Sequence, residues 1–332
     1  MRRALYILLL NLSLLSCTVS HKEVESPLPP LDSIGIGWGI AAQSVVDLRS
    51  EPQYRSALST QILMGTPVKV LERSDGWSRV ITPEGYVGWT LELALSYLND
   101  KEHQEWIGLP RLIVTAHYSL FRGQPNGNSQ IVADGVKGNI VVLLEEGATH
   151  YRVSLPGGVE CYLPLEDGVE FSHWVGSRSL TVDSFIATAM EMLGAPYVWG
   201  GTSFKGVDCS GLTKTALFLN GAVLLRDASQ QITLGKEVVA GENFSLLQRG
   251  DLLFFGESAQ GGREEKIEHV AIYIGEGQIL HSSQLVRINS IYPSSNNYYQ
   301  NSNKFLRAKR LIPLSKEDES VMLLKNHRWY FK

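Results

Sequence analysis

Cys209 stands in the run Asp208-Cys209-Ser210-Gly211 at the head of a helical pattern, a position that could make it a nucleophile. Asp208 can cap that helix, which puts Cys209 in its first turn, where unpaired N–H groups and the macrodipole favour an anion. A thiol there gives up its proton more readily, and the thiolate is the attacking form. A lone cysteine is more often a small buried residue. Here Gly200, Gly201, Gly206 and Gly211 thin the surrounding backbone and leave space for a substrate. The thiol needs a base. Of eight histidines, only His269 and His281 fall on strand-like runs of the same segment, with Gly275-Glu276-Gly277 between them. A three-residue loop with Gly277 left-handed would pair Ile274 with Gln278, set Ala271 opposite His281 and turn both imidazoles to one face. A two-residue loop would put them on opposite faces. In the first arrangement His269 takes the thiol proton and His281 orients it. One Cys and two His lack a fourth ligand at metal-like spacing, so no zinc site and no cofactor are expected.

These residues must be held by helices followed by strands. Val182 to Leu193 carries apolar residues at Phe185, Ile186, Ala189, Met192 and Leu193, a helical period stopped by Gly194 and Pro196. Asp208 to Asn220 repeats it with Leu212, Ala216, Leu217 and Leu219. Strand-like runs follow at Asp251 to Phe255, His269 to Ile274, Gln278 to Ser282 and Leu285 to Asn289, which together read as an α+β domain. Upstream, short β-type runs separated by turn signals fill two stretches. They are Ser44 to Leu48, Thr66 to Glu72, Trp77 to Ile81 and Tyr86 to Thr90, then Ile113 to Ala116, Ile140 to Leu144, Tyr151 to Leu155 and Cys161 to Leu165. Such spacing predicts two small barrels. Trp77 reads as a barrel core or rim residue, and Cys161 as a buried apolar one. In an oxidising compartment a Cys161–Cys209 disulfide would abolish the chemistry.

The N-terminus implies export. Met1-Arg2-Arg3, the apolar run Ala4 to Leu15 and Ser16-Cys17 form a secretory signal layout. Leu14-Leu15-Ser16-Cys17 resembles a bacterial lipobox, with Cys17 the lipidated residue and His21 to Asp32 an extended tether. An ordinary signal cut near Ser20 would discard Cys17. The expected location is extracytoplasmic, a cell-envelope lipoprotein facing the periplasm from the outer membrane. With 30 basic and 34 acidic residues among 332, the net charge of −4 argues against nucleic acid as a partner. A 44% hydrophobic and 19% charged composition is that of a folded protein of two or three domains.

Taken together, these runs resemble a known family. Pro196-Tyr197-Val198-Trp199-Gly200-Gly201, Asp208-Cys209-Ser210-Gly211-Leu212, Leu225-Arg226-Asp227-Ala228-Ser229-Gln230-Gln231, Arg249-Gly250-Asp251-Leu252-Leu253-Phe254-Phe255 and His269-Val270-Ala271-Ile272-Tyr273-Ile274-Gly275 look like the NlpC-type cysteine peptidases. The likeness covers about residues 180 to 313. It implies a papain-like α+β fold with Cys209, His269 and His281 as nucleophile, base and orienter, and hydrolysis of the γ-D-glutamyl to diamino-acid bond of cell-wall stem peptides. Tyr197 matches a tyrosine that helps hold the oxyanion or substrate, and Asp208 and Ser210 flank the nucleophile as substrate-binding candidates.

Val46-Asp47-Leu48-Arg49-Ser50-Glu51-Pro52, Gly76-Trp77-Ser78-Arg79-Val80 and Gly85-Tyr86-Val87-Gly88-Trp89 resemble a bacterial SH3-like domain. In the branch carrying such domains, an Asp at the position of Asp227 binds the free amine of a terminal L-Ala, helped by an acid and a tyrosine of the first SH3-like domain. Tyr86 is the candidate tyrosine; Glu51, ahead of Glu84, is the candidate acid. Asp227 could instead be a helix cap, a task Ser229 could also perform. The expected layout is a signal peptide over 1–17, a linker over 18–33, SH3-like domains over 34–98 and 107–172, the peptidase domain over 179–313 and a tail over 314–332. The expected partners are peptidoglycan-derived peptides, with the membrane reached through the lipid anchor. Endopeptidase or acyltransferase action on intact wall, a non-catalytic wall-binding lipoprotein and a structural tether are the alternatives.

Overall fold

Two antiparallel sheets of seven strands come first along the chain, and they share one strand order. In the first, Leu58–Leu63, Val45–Arg49, Val87–Leu91, Trp77–Ile81, Pro67–Ser74, Gly37–Ala41 and Leu95–Leu98 lie side by side in that sequence. The second, from Arg111–Val114 to Gly168–Glu170, repeats the order strand for strand. The structure, a computed structural model, describes residues 35–314 and 321–332. Cys17, the signal run and the 18–33 linker lie outside the described residues. Val46 and Leu48 alternate inward in the first sheet and pack with Ile62, Val68, Val70 and Val80. Gly37–Ala41, buried along nearly its whole length, has no alternation by which a strand could be read. The helix Asp100–Gly108 between the sheets starts with a capping box, Asn99 accepting from the Glu102 N–H and Glu102 from the Asn99 N–H.

Beyond residue 180 the chain forms helices α1 (Val182–Met190), α2 (Cys209–Phe218) and α3 (Ala228–Gln231). A six-stranded sheet follows, made of β1 (Lys236–Val238), β2 (Leu252–Glu257), β3 (Lys266–Gly275), β4 (Gln278–Ser283), β5 (Leu285–Ser290) and β6 (Phe305–Arg310), in the order β1-β6-β2-β3-β4-β5. Thr181 caps α1 in a reciprocal pair with Ser184. Helix α2 lies on the central strand β3, its Leu212 and Ala216 sharing a core with Val270, Ile272 and Leu280. That packing carries Cys209 to the histidine strand.

The β3–β4 hairpin corrects the expected turn. Gly275 pairs with Gln278, leaving a two-residue loop of Glu276 and Gly277, both at positive φ. This is the primed turn that matches strand twist. A bulge between Tyr273 and Gly275 restores the register, so Ile272 still faces Leu280 and both histidines stay on one face. The expected placement survives for a different reason: one extra residue in the strand offsets one fewer in the loop.

The C-terminal tail, which carried no readable pattern, is a staple. Met322–Leu323 pairs with Ala222–Val223 next to α2. Farther on, Trp329 and Tyr330 are buried, with Trp329 edge-on to Trp38 of the first sheet and the Tyr330 carbonyl accepting from Arg111 of the second. His103 stacks on Trp38 at 3.6 Å and bonds the Trp329 carbonyl.

Candidate active site

Cys209 begins α2, and Asp208 caps it by accepting the Gly211 N–H at 2.7 Å. The close turn before it needs glycine: a Cβ on Gly211 would lie 2.0 Å from the Gly201 carbonyl oxygen. Asp208 does more than cap. Its carboxylate takes the Gly200 N–H at 2.8 Å and both terminal nitrogens of Arg226, at 3.1 and 2.6 Å. Arg226 is 1% exposed and also donates to Ser210 Oγ and, through Nε, to Thr60 Oγ1 of the first sheet at 2.7 Å. A buried charge pair of this kind is costly to leave half-made, about 3–5 kcal/mol on removal of one partner. It fixes the floor under Cys209 and joins that floor to the first sheet.

The histidines form a chain of defined tautomers. Asn289 Nδ2 donates to the Asn297 carbonyl at 2.6 Å, which turns its Oδ1 toward His281 Nε2 at 2.9 Å. His281 therefore carries its proton on Nε2, and its bare Nδ1 accepts from His269 Nε2 at 2.8 Å. The lone pair of His269 is left on Nδ1, the nitrogen a base needs. Tyr299 closes over both rings, with centroids 5.5 Å from His269 and 4.7 Å from His281. Burial holds both imidazoles well below the usual histidine range, and so neutral.

Burial and the Asp208 carboxylate push the Cys209 thiol up to about 11, against the pull of the Val270 and Ser210 N–H groups. Burial and the Asp208 carboxylate thus oppose the thiolate that the helix start favours.

A cleft of about 360 Å³ opens beside Cys209, between Tyr86 and Leu58 of the first sheet and Tyr197, Trp199 and Asp227. Tyr86 donates its hydroxyl to Asp227 Oδ2 at 3.0 Å across the junction. Burial next to Asp227 raises the Tyr86 phenol to about 12, keeping it a donor, and desolvation raises the Asp227 carboxyl. A second lobe of about 270 Å³, lined by His269, Phe255, Tyr299 and Lys304, shares Tyr197 and Glu268 with the first. The cleft therefore runs past the thiol and the imidazole in turn.

Comparison with known proteins agrees with this arrangement. Residues 194–308 match the NlpC/P60 family, and residues 48–95 match the bacterial dipeptidyl-peptidase Sh3 domain. The chain is 32% identical over 299 residues to a gamma-D-glutamyl-L-lysine dipeptidyl-peptidase of Bacillus cereus, covering 88% of this chain and 85% of that one. This protein belongs to the NlpC/P60 family. A second relative, dipeptidyl-peptidase 6 of Lysinibacillus sphaericus, is 28% identical over 76% of this chain and 91% of its own. The crystal structure of an NlpC/P60 family protein from Bacillus cereus superposes with a TM-score of 0.70 at 26% identity, covering 83% of this chain and all of that one. As an NlpC/P60 member with an SH3-like domain ahead of its catalytic domain, the chain is a cell-wall peptidase.

Within this NlpC/P60 cleft the structure brings together Cys209, Ser210, Tyr197, Asp227 and Tyr86, with His269 and His281 behind them. Asp208 lines the cleft too, but its oxygens are committed to the cap and to Arg226. Glu51 does not reach it: its carboxylate accepts from Gln53 on an exposed turn. Glu84 turns inward to Lys214 Nζ at 3.2 Å, in a separate cavity with Tyr330. Where the first sheet meets the cleft it presents Ala57, Leu58, Ser59 and Tyr86, a tyrosine without an acid. Asp227 is the N-cap of α3, paired with Gln230 in a capping box in which its N–H donates to Gln230 Oε1, and its Oδ2 also accepts from the Tyr86 hydroxyl. Cys161 and Cys209 are both free. Arg226, Asn289, Tyr299 and Trp199 were not singled out from the sequence. For Asn289 the strand alternation that places His281 inward was the available signal.

Proposed function

We propose that this peptidase hydrolyses the γ-D-glutamyl to diamino-acid bond of peptidoglycan stem peptides whose L-Ala amine is free. Cys209 is the nucleophile, His269 the base and His281 its orienter. His269 Nδ1 takes the thiol proton, and the thiolate adds to the γ-carbonyl carbon. The Cys209 N–H, unpaired at a helix start, and the Tyr197 hydroxyl hold the oxyanion. Collapse expels the diamino acid's amine, which takes the proton from His269, and water then hydrolyses the thioester with His269 again as base. The observation that carries the substrate is the Tyr86–Asp227 bond at 3.0 Å, which joins the first SH3-like domain to the cleft beside the thiol. Besides its Tyr86 bond and its place in the α3 capping box, the Asp227 carboxylate lines the cleft, where its remaining lone pairs can take a ligand ammonium, and Ala57 to Ser59 of the barrel stand across the path of any chain continuing beyond it. In intact wall that nitrogen is an amide, so released peptides are the substrates. The boundaries 34–98, 107–172 and 179–313 belong to this reading, as does a lipid anchor at Cys17 holding the protein at the envelope.

The test is mass spectrometry of products from L-Ala-γ-D-Glu-diamino-acid peptide and from intact wall. Release of L-Ala-γ-D-Glu from the peptide alone is expected, with Cys209→Ala inactive but folded. Equal release from intact wall overturns the closed-end reading, and turnover by Cys209→Ala overturns the nucleophile. Transfer of the dipeptide to an added amine in place of water makes the protein an acyltransferase.

A further inference from the structure

Tyr86 reaches the cleft from the end of the turn 82–86, which joins the paired strands Trp77–Ile81 and Val87–Leu91 of the first barrel. The turn closes on itself, the Gly85 N–H donating to the Thr82 carbonyl at 2.9 Å and the Tyr86 N–H to Thr82 Oγ1 at 3.1 Å. Those bonds shape the turn without setting where it sits against Asp227. Two groups from outside the barrel do that. His327 of the C-terminal tail is buried, and its Nε2 lies 3.1 Å from the Pro83 carbonyl. Lys214 of α2, the helix that begins at Cys209, holds Glu84 at 3.2 Å. A carbonyl can only accept, so His327 donates through Nε2, while its Nδ1 accepts the Trp329 N–H at 3.2 Å. The tail is anchored on either side of this ring. The Leu324 N–H donates to the Gly221 carbonyl at 2.8 Å, just past α2, and the Trp329 carbonyl accepts from His103 at 3.2 Å.

We infer that the tail is a specificity element of this enzyme: His327, bonded to the Pro83 carbonyl, positions the 82–86 turn so that the Tyr86 hydroxyl meets Asp227, and thereby sets the preference for a free amine over an acylated one. The inference rests on the function proposed above. A hydrogen bond fails beyond a few tenths of an ångström of stretch or a modest loss of angle. A turn released from the tail therefore frees the phenol from Asp227, and the carboxylate is no longer held toward the substrate ammonium. Docking of the barrel does not depend on this contact. The strand Leu58–Leu63 is tied to the catalytic domain separately, Arg226 donating to Thr60 Oγ1 at 2.7 Å and Thr202 Oγ1 to the Gln61 carbonyl at 2.9 Å. His327 is a positioning residue that acts through Tyr86.

The experiment measures kcat and KM on L-Ala-γ-D-Glu-L-lysine and on its N-acetylated form. His327→Asn keeps an acceptor for the Trp329 N–H but falls short of Pro83, whereas the amide of His327→Gln can reach Pro83. The Asn variant should lose about fivefold in kcat/KM on the free-amine peptide, the scale of one neutral hydrogen bond, and lose it through KM. The acetylated peptide should be unchanged, and His327→Gln should stay near wild type on both. His327→Phe fills the volume of the ring without the donor, should behave as the Asn variant, and replaces it should Asn not fold. Added to Tyr86→Phe, loss of the His327 donor should cost nothing further, because no hydroxyl is left to place. Unchanged selectivity in a folded Asn or Phe variant, an equal loss on both peptides, or a full further loss on top of Tyr86→Phe overturns the inference while leaving the reaction in place. A wild type that cleaves both peptides equally overturns the free-amine reading, and this inference with it.

Discussion

Replacing Asp227 by Asn removes a charge and little else. The two side chains have one shape, and Asn can still accept the Tyr86 hydroxyl that Asp227 accepts at 3.0 Å. Arg226 does not neutralise the carboxylate through a bond, because its nitrogens are taken by Asp208, Ser210 and Thr60. What is lost is the ionic half of a hydrogen bond to the substrate ammonium. Bonds to charged groups contribute about 1.5–3 kcal/mol, and partial exposure of Asp227 argues for the middle of that range. At about 2 kcal/mol, kcat/KM on the free-amine peptide should fall roughly 30-fold. The N-acetylated peptide, already poor because it strands the carboxylate, should change little. Both enzymes on both peptides form a cycle whose coupling isolates the Asp227–amine contact. The pH profile adds a sign. Desolvation raises the Asp227 carboxyl, and only the ionised form attracts an ammonium. Wild-type kcat/KM on the free-amine peptide should therefore climb as pH rises through that raised pKa, then decline as the substrate amine loses its proton near roughly pH 8. Asp227→Asn should lack the acidic limb. A coupling below about 0.5 kcal/mol, within the additivity of independent sites, would refute the reasoning and leave Asp227 with its helix-cap role alone.

Asn289→Leu should lower kcat roughly tenfold with KM little changed, from loss of a hydrogen bond of about 1–1.5 kcal/mol, and nitrogen NMR should show His281 no longer fixed as the Nε2–H tautomer. An unchanged kcat with a mixed tautomer would dismiss the chain from Asn289 to His269. Thermal melts should show stability falling as pH drops below about 6.5, the unfolded histidine value. His103, held down to about 4 by burial, His269 and His281 all bind protons more readily unfolded, so stability present above that pH is lost as it falls toward their folded values. A flat profile between pH 7 and 4 would contradict their burial as neutral rings. Finally, wild type should take up a labelled fatty acid and Cys17→Ser should not, with the variant recovered free of membranes; an unlabelled wild type removes the anchor.

The sequence by itself pointed to the family and to the thiol chemistry proposed above. Asp208-Cys209-Ser210-Gly211 announces a capped helix start, and the two histidines on neighbouring strands offer the proposed base, because capping and period-two alternation act over a few residues. The rhythm of the SH3-like barrels was local in the same way, although the strand Gly37–Ala41, buried along nearly its whole length, has no alternation to read. Tertiary structure alone decided what completes the site. The hairpin reached the expected register through a bulge that no local rule specifies. Tyr86 and Asp227 meet across 141 positions, Arg226 and Thr60 across 166, and the tail's Trp329 and His103 across 226. Glu51 had the better motif position and stayed in solvent, because the packing of the barrel turned its Ala57–Ser59 edge to the cleft instead. The balance on the Cys209 thiol is tertiary in the same way: its helix favours the anion, but the burial that opposes it comes from strands folded over it from far along the chain.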